Sequence, residues 1–265
     1  MNLNQTLDIV GRVALSLSGL SFRSQSKNAN LAGNTRMQLP WVRSLGMRGV
    51  VLDATAPEMR PRMLDRSGRR DVASLLRHND LSLAGLDLLI PPTHLVDPAF
   101  QDRAFSAIRE ALTLASDLAA LADGTSPVVS VLAPPTLTAK DIEAIAQLTD
   151  SSSAMLALIA WPMTEELRVA CASVPKLRSA FDPARVLAAG ANAAKELSRS
   201  NPMPVSIRLS DFDGVARVPL GRGNLDLTQY VVAALVANAA APIVLDLQGL
   251  TDSETAISAA VNALS

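Results

Sequence analysis

MLALIAWPMTEELRVACASVPKLRSAFD, the segment from Met155 to Asp182, combines two apolar runs with one amphipathic pattern. The apolar runs are Met155 to Trp161 and Leu177 to Asp182, and the helical pattern between them is Thr164 to Ser173. Apolar runs without strict alternation are typical of strands buried on both faces, and strands joined by a helix pair in parallel. The segment therefore predicts a strand–helix–strand unit.

The same unit recurs along the whole chain. Further apolar runs are Arg12 to Phe22, Gly49 to Asp53, Leu81 to Ile90, Pro127 to Ala133, Val205 to Asp211 and Pro242 to Leu247. Eight such runs in 265 residues predict an α/β fold, a (β/α)₈ TIM barrel that forms one domain over residues 1–265. Barrels of this kind usually have about 250 residues, and their reactive groups lie at the C-terminal ends of the strands.

Helical patterns with one apolar face separate the predicted strands. The remaining patterns are Pro40 to Leu45, Ser67 to His78, Asp102 to Leu121, Ala139 to Leu148, Ala191 to Ser200, Asp226 to Ala239 and Asp252 to Leu264. The first helix is predicted to be short, with proline at an early position and Gly46 as its end. The polar segment before it, Arg23 to Arg36, is predicted to be a loop on the functional face.

Composition excludes several classes of protein. The chain is 49% hydrophobic and 18% charged, with a formal net charge of −1 and a pI near 6.1. Nucleic-acid binders need a basic stripe or an aromatic platform, and this composition offers neither. The single cysteine, Cys171, excludes a disulfide framework and a cysteine-rich metal site. No uncharged run reaches membrane-spanning length without a proline. We therefore expect a cytoplasmic protein that binds neither membranes nor nucleic acids.

Four segments resemble the xylose isomerase-like TIM barrels. They are LGMRGVVLDA (Leu45 to Ala54), FDPARVLAAG (Phe181 to Gly190), SIRLSDFDG with VPLGRGNLDL (between Ser206 and Leu227) and PIVLDLQGL (Pro242 to Leu250). That superfamily contains sugar and sugar phosphate isomerases and epimerases, and also endonuclease IV-type repair enzymes. The resemblance covers most of the chain in the same order, and it implies the barrel fold and a carbohydrate ligand. It does not by itself establish the reaction.

The resemblance also implies a metal site, from which this chain departs. Family members typically bind a divalent metal through Glu, Asp, His and Glu at the ends of strands five to eight. At these positions the chain has Trp161, Asp182, Arg208 and Asp246, and Arg185 stands where a further His often follows. A guanidinium stays protonated and has no lone pair for a metal. We therefore expect no cofactor, unless other residues rebuild a ligand set for Mn²⁺, Mg²⁺ or Zn²⁺.

The arginines suggest a different chemistry for the same positions. Guanidinium groups bind carboxylate or phosphate through two parallel hydrogen bonds, so Arg185 and Arg208 predict a site for an anionic ligand. If the protein is an enzyme, Asp182, Asp211 and Asp246 are the predicted proton-handling carboxylates. Arg208 would then stabilise the charge that develops on the substrate.

An arginine-rich segment follows the predicted strand Gly49 to Asp53. It reads PEMRPRMLDRSGRR, from Pro57 to Arg70, and contains five arginines near the start of a helix. Because a helix N-terminus attracts anions, one hypothesis is that Arg60 and Arg62 bind an anionic ligand. The alternative is a solvated rim on which the arginines form ion pairs with Glu58, Asp65 and Asp71.

Four more residues are candidates for substrate binding, each with a structural alternative. Asp87 lies in an apolar run, where a carboxylate needs either a partner or a place at the barrel mouth. His94 follows that run and is either an acid–base group or an ordinary surface residue. Trp161 either stacks on a sugar ring or closes the top of the barrel. Asp53 either binds a substrate hydroxyl or caps its own loop.

These observations leave two hypotheses about function. The first is a barrel that acts on or binds a polyol or sugar acid at its C-terminal mouth, related to sugar and sugar phosphate isomerases and epimerases but without their metal. The second is a non-catalytic barrel used for ligand binding or for assembly with a partner. The expected partner is a small carbohydrate or another anionic ligand, and the sequence leaves a homo-oligomer open.

Overall fold

Eight parallel strands close into a barrel in the structure, a computed structural model that describes residues 10–122, 127–237 and 242–264. The barrel strands are β1 (Val13–Ser16), β2 (Gly49–Asp53), β3 (Ser82–Leu88), β4 (Val128–Leu132), β5 (Met155–Ile159), β6 (Leu177–Phe181), β7 (Ser206–Leu209) and β10 (Ile243–Leu245). Neighbours in sequence are neighbours in the barrel, and β10 closes it by pairing with β1 and β7. The predicted (β/α)₈ barrel is confirmed.

Most of the strands end earlier than the apolar runs predicted. The last residues of several runs lie beyond the strand ladder, at the C-terminal mouth of the barrel. Asp182 comes directly after β6, and Asp246 comes directly after β10. Asp211 lies in β8 (Asp211–Phe212), which forms a short antiparallel hairpin with β9 (Arg217–Val218). The polar residues at the ends of the runs are therefore placed at the mouth.

Nine helices are described alongside the strands. They are α1 (Thr35–Ser44), α2 (Arg66–His78), α3 (Gln101–Leu121), α4 (Ala139–Gln147), α5 (Glu165–Ser173), α6 (Pro183–Ala188), α7 (Ala193–Ser198), α8 (Leu227–Ala237) and α9 (Ser253–Leu264). The final residues of the helix predicted from Asp226 to Ala239 lie outside the described residues. No helix in the described ranges is long and apolar enough to cross a membrane.

The first helix corrects a sequence-based prediction. Helix α1 begins at Thr35 rather than Pro40, so it includes the end of the segment predicted to be a loop. Asn34 starts it, because its side chain accepts a hydrogen bond from the Met37 backbone N–H at 3.2 Å. Pro40 lies inside the helix, where it lacks an N–H to donate to the preceding turn. The cap and the buried face of α1 outweigh that lost bond.

The apolar core lies both inside the barrel and between the barrel and its helices. Fully buried leucines of the strands, such as Leu52, Leu86 and Leu156, pack in one cluster with Leu76 of α2 and Ile108 of α3. Burial of each such side chain contributes about 1.5–3 kcal/mol. This shell holds the ends of the strands in fixed positions, and hence the polar residues at the mouth.

Candidate functional site

A buried arginine lies at the centre of the mouth. Arg208 is on β7, and only 2% of its surface is exposed. Its Nη1 donates to Asp87 Oδ2 at 3.0 Å and its Nη2 donates to Asp87 Oδ1, so the two side chains form a bidentate pair across the barrel. Ser16 Oγ on β1 also donates to Asp87 Oδ2, at 2.6 Å. The carboxylate of Asp87 is therefore satisfied, as a buried charge must be.

Arg208 also contacts a second carboxylate. Its Nη1 lies 3.6 Å from Asp246 Oδ2. Burial alone would lower the pKa of Arg208, but the charges of Asp87, Asp246 and Asp182 outweigh this and raise it. Arg208 therefore stays charged. Its Nε is buried and donates to no other group among the described residues.

A second arginine is linked to the first through a carboxylate that both contact, Asp246. Arg217, on β9, donates from Nη2 to Asp182 Oδ2. Its Nη1 lies 3.3 Å from Asp246 Oδ1 and donates to the backbone oxygen of Gln248 at 3.2 Å. The side chain is 21% exposed. Sequence analysis missed Arg217, although its place after β7 put it on the functional face.

The two remaining carboxylates of the mouth are held by backbone groups as well as arginines. Asp182 caps α6, where its Oδ1 accepts from the Ala184 N–H at 3.2 Å and from Ser210 Oγ at 2.6 Å. Arg185 Nε lies 3.4 Å from Asp182 Oδ2. Burial alone would raise the pKa of Asp246, but Arg217 and Arg208 lower it below its ordinary value.

Together these residues form one continuous ion-pair network. Asp87, Asp182 and Asp246 carry three negative charges, and Arg185, Arg208 and Arg217 carry three positive charges. The network as a whole is therefore neutral. Sequence analysis predicted five of its six members as site residues, and the structure brings those five together.

A cavity of about 260 Å³ lies above the network. Its polar lining consists of the network residues except Arg217, together with Gln248 and Ser130 of β4. Its apolar lining consists of Leu89, Ile90, Pro91, Pro92, Leu132 and Ile159. The Ser130 hydroxyl has no hydrogen bond to any described residue, so it can bond to a ligand.

Asp211 lies outside this arrangement, contrary to its predicted place beside Asp182 and Asp246. Its carboxylate accepts four backbone N–H bonds at 2.8–3.0 Å, from Phe212, Gly221, Gly223 and Leu225. A Cβ at Gly223 would come within 2.3 Å of Asp211 Oδ1, so this close approach requires glycine. Asp211 therefore holds the loop that carries Arg217, and it does not line the cavity.

Three other predicted site residues lie away from the cavity. Asp53 Oδ1 accepts from the backbone N–H of Thr55 at 2.8 Å and so caps its own loop. His94 stacks on Phe100, with ring centroids 4.4 Å apart. Trp161 packs edge-to-face on Phe181 at 6.0 Å. None of the three lines the mouth cavity, so these contacts match the structural alternatives weighed above.

The arginine-rich segment does not form the ion pairs that the solvated-rim alternative required. Among the described residues its three acids have other partners. Asp65 caps α2 through the Gly68 N–H, Glu58 accepts from the Thr35 N–H, and Asp71 pairs with Arg36. Arg69 pairs with Asp117 instead. Arg60 and Arg62 line a second cavity that adjoins the one above Arg208.

The metal that the resemblance implies does not fit these residues. Asp182 and Asp246 are both bonded to Arg217, and Arg208 occupies the position of the expected imidazole ligand. A divalent cation there would have to displace a guanidinium and lie beside another. In the ranges that the structure describes, no three His, Cys, Asp or Glu side chains are grouped so as to hold an ion.

Solved structures with the same fold have low sequence identity to this chain. A xylose isomerase domain protein from Planctomyces limnophilus has a TM-score of 0.70 and 14% identity, over 95% of this chain and 93% of that one. The IolI protein with a bound zinc atom has a TM-score of 0.65 and 14% identity, over 94% of this chain and 96% of that one. D-psicose 3-epimerase with D-tagatose, from Clostridium cellulolyticum H10, has a TM-score of 0.64 and 11% identity, over 87% of this chain and 91% of that one.

At these identities the likeness establishes the fold alone. It agrees with the (β/α)₈ barrel described above. No protein-family model and no curated protein sequence matches the chain. The function must therefore be argued from the site itself.

Proposed function

We propose that the mouth cavity binds a small polyhydroxylated ligand, a sugar or a polyol, and that it does so without a divalent metal. The observation that carries this proposal is the neutral Arg–Asp network beneath apolar walls. It provides fixed hydrogen-bonding groups without a net charge.

The chemistry of the lining matches hydroxyl groups. A hydroxyl both donates and accepts, while carboxylates only accept and guanidinium groups only donate. The cavity presents both kinds of group, together with the Ser130 hydroxyl. The leucine, isoleucine and proline side chains can pack against the C–H surface of a sugar.

Size and charge narrow the class of ligand further. The volume of about 260 Å³ is below the roughly 300–1,000 Å³ of ordinary small-molecule pockets, which favours a small ligand. The network is neutral, and burying an unpaired charge is costly, so a neutral ligand fits better than a strong anion. A solved barrel of the same fold holds D-tagatose, which supports a sugar here by analogy.

The geometry favours binding over proton transfer. A general base works best when its pKa lies near the operating pH. Arg217 and Arg208 lower the pKa of Asp246, which makes this carboxylate a weaker base. Asp182 is bonded to two arginines and a serine, which fix the position of its carboxylate. The catalytic roles of Asp182, Asp246 and Arg208 stay predictions, and in the present proposal these residues orient the ligand.

A ligand screen with a matched pair of variants tests the proposal. Neutral sugars and polyols are added to the protein in the presence of a chelator, and the melting temperature is measured. A ligand that binds the folded state raises it. Ser130→Ala should reduce that rise, because Ser130 lines the cavity, whereas Ser179→Ala removes a buried strand serine that does not line it. If no sugar or polyol stabilises the wild type, or if both variants respond alike, the proposal fails.

A further inference from the structure

A second cavity of about 490 Å³ lies beside the mouth cavity. Leu89 and Ile90 line both, so the two cavities adjoin. The charged residues of the second cavity are three arginines, Arg60, Arg62 and Arg103, and one carboxylate, Glu110. In contrast to the mouth, its lining has an excess of positive charge.

The arginines of this cavity lack carboxylate partners. The side chains of Arg62 and Arg103 form no hydrogen bond or ion pair with any residue that the structure describes. Arg60 donates from Nε to the Thr55 backbone oxygen at 3.2 Å, which leaves both terminal nitrogens without a partner among the described residues. Glu110 accepts from Ser106 Oγ at 3.3 Å and pairs with none of the three.

The position of Arg103 is unusual for a purely structural residue. It lies in the first turn of α3, where the helix dipole disfavours a cation. Arg60 and Arg62 come from the arginine-rich segment, so two separate parts of the chain bring like charges to one cavity. Like charges repel, and a bound anion would offset that repulsion.

We infer that this cavity binds a phosphoryl group, either inorganic phosphate or the phosphate of a monoester. Three arginines and one glutamate give the lining a net charge of +2, which matches a phosphate dianion. Guanidinium groups bind phosphate oxygens through paired hydrogen bonds. This site is independent of the proposed function. Only the idea that one sugar phosphate spans both cavities rests on that proposal.

Titration of inorganic phosphate at constant ionic strength tests the inference. Wild type should bind phosphate, and Arg62→Gln and Arg103→Gln should each weaken the binding roughly tenfold or more, as expected for hydrogen bonds to charged groups. Arg48→Gln is the matched control. It makes the same charge change at an exposed residue directly before β2, at the opposite end of the barrel. Phosphate affinity of this control should equal that of wild type.

Absence of phosphate binding by wild type would overturn the inference. The same conclusion would follow if both cavity variants bound phosphate normally, or if Arg48→Gln lost as much affinity as they do. Circular dichroism of the variants confirms folding, which is expected because the exchanged side chains are exposed.

A second set of titrations distinguishes the two sources of phosphate. Tighter binding of a sugar phosphate than of inorganic phosphate or the neutral sugar supports one ligand across both cavities. Equal affinity for inorganic phosphate and sugar phosphate supports a separate phosphate site. Neutral-sugar binding that survives without any phosphate binding rejects this site and leaves the proposed function intact. Phosphate binding without any response to neutral sugars supports this site and rejects the proposed function.

Discussion

The two adjoining cavities at the C-terminal mouth use arginine in opposite ways. Above β7 the guanidinium groups of Arg208 and Arg217 are bonded to carboxylates, and the network they form is neutral. Beside it Arg62 and Arg103 have no partner among the described residues. A paired, buried arginine therefore shapes a cavity, whereas an unpaired arginine leaves its charge available to a ligand.

The largest expected effect of this difference is on stability. Arg208→Met should lower the free energy of unfolding by about 3–5 kcal/mol, because it leaves Asp87 buried without its cationic partner. Urea denaturation measures the change. The double variant Arg208→Met with Asp87→Leu is the control, since replacing both partners by apolar residues is often close to neutral. A single variant as stable as wild type would show that the pair is not structural.

A smaller loss is expected at the second arginine of the network. Arg217→Gln should lower the free energy of unfolding by about 1.5–3 kcal/mol, because hydrogen bonds between charged groups are lost at a partly exposed position. Arg222→Gln, in the same loop and exposed, is the matched control and should change stability by less than about 0.5 kcal/mol. Equal stabilities of the two variants would show that the ion pairs of Arg217 do not stabilise the fold.

The network also predicts how stability depends on pH. Arg217 and Arg208 lower the pKa of Asp246 in the folded protein relative to its ordinary value. The unfolded chain therefore binds more protons in acid, so the contribution of Asp246 is present above about pH 4 and is lost as pH falls through its folded-state pKa. Denaturation across acid pH should show a smaller decline for Asp246→Asn than for wild type. Identical declines would contradict this prediction.

The smallest effect on stability is expected at the second cavity. Arg62→Gln should change the free energy of unfolding by less than about 0.5 kcal/mol, because the side chain is exposed and has no partner in the described part of the chain. Removing one of several like charges can even stabilise the folded protein slightly. Urea denaturation of Arg62→Gln and Arg208→Met under the same conditions compares their free energies of unfolding directly. A loss at Arg62 as large as at Arg208 would remove the distinction between the cavities.

Sequence patterns predicted the fold better than the contacts within the site. Apolar runs reveal strands buried on both faces, so the eight barrel strands could be found without a structure. The ends of the elements were less predictable. Helix α1 begins at Thr35 because Asn34 caps it, and the proline at position 40 had indicated a later start.

The site shows why local sequence patterns do not predict contacts between residues that are distant in the chain. Asp87 and Arg208 are separated by 121 residues in sequence, so only barrel closure brings them together. Asp211 and Asp246 both lie near the ends of apolar runs, yet backbone N–H groups of a glycine-containing loop hold the first, while arginines hold the second. Arg217 was missed because its loop was interpreted only through the family resemblance.

In the proposed function, the Arg–Asp mouth binds a neutral sugar or polyol without a metal. Titration calorimetry with the most stabilising neutral ligand, once with a chelator and once with excess Mn²⁺, tests this proposal. We expect the same affinity in both conditions, because Arg208 and Arg217 already supply the positive charge at the mouth. Ligand binding that occurs only with Mn²⁺ would contradict it.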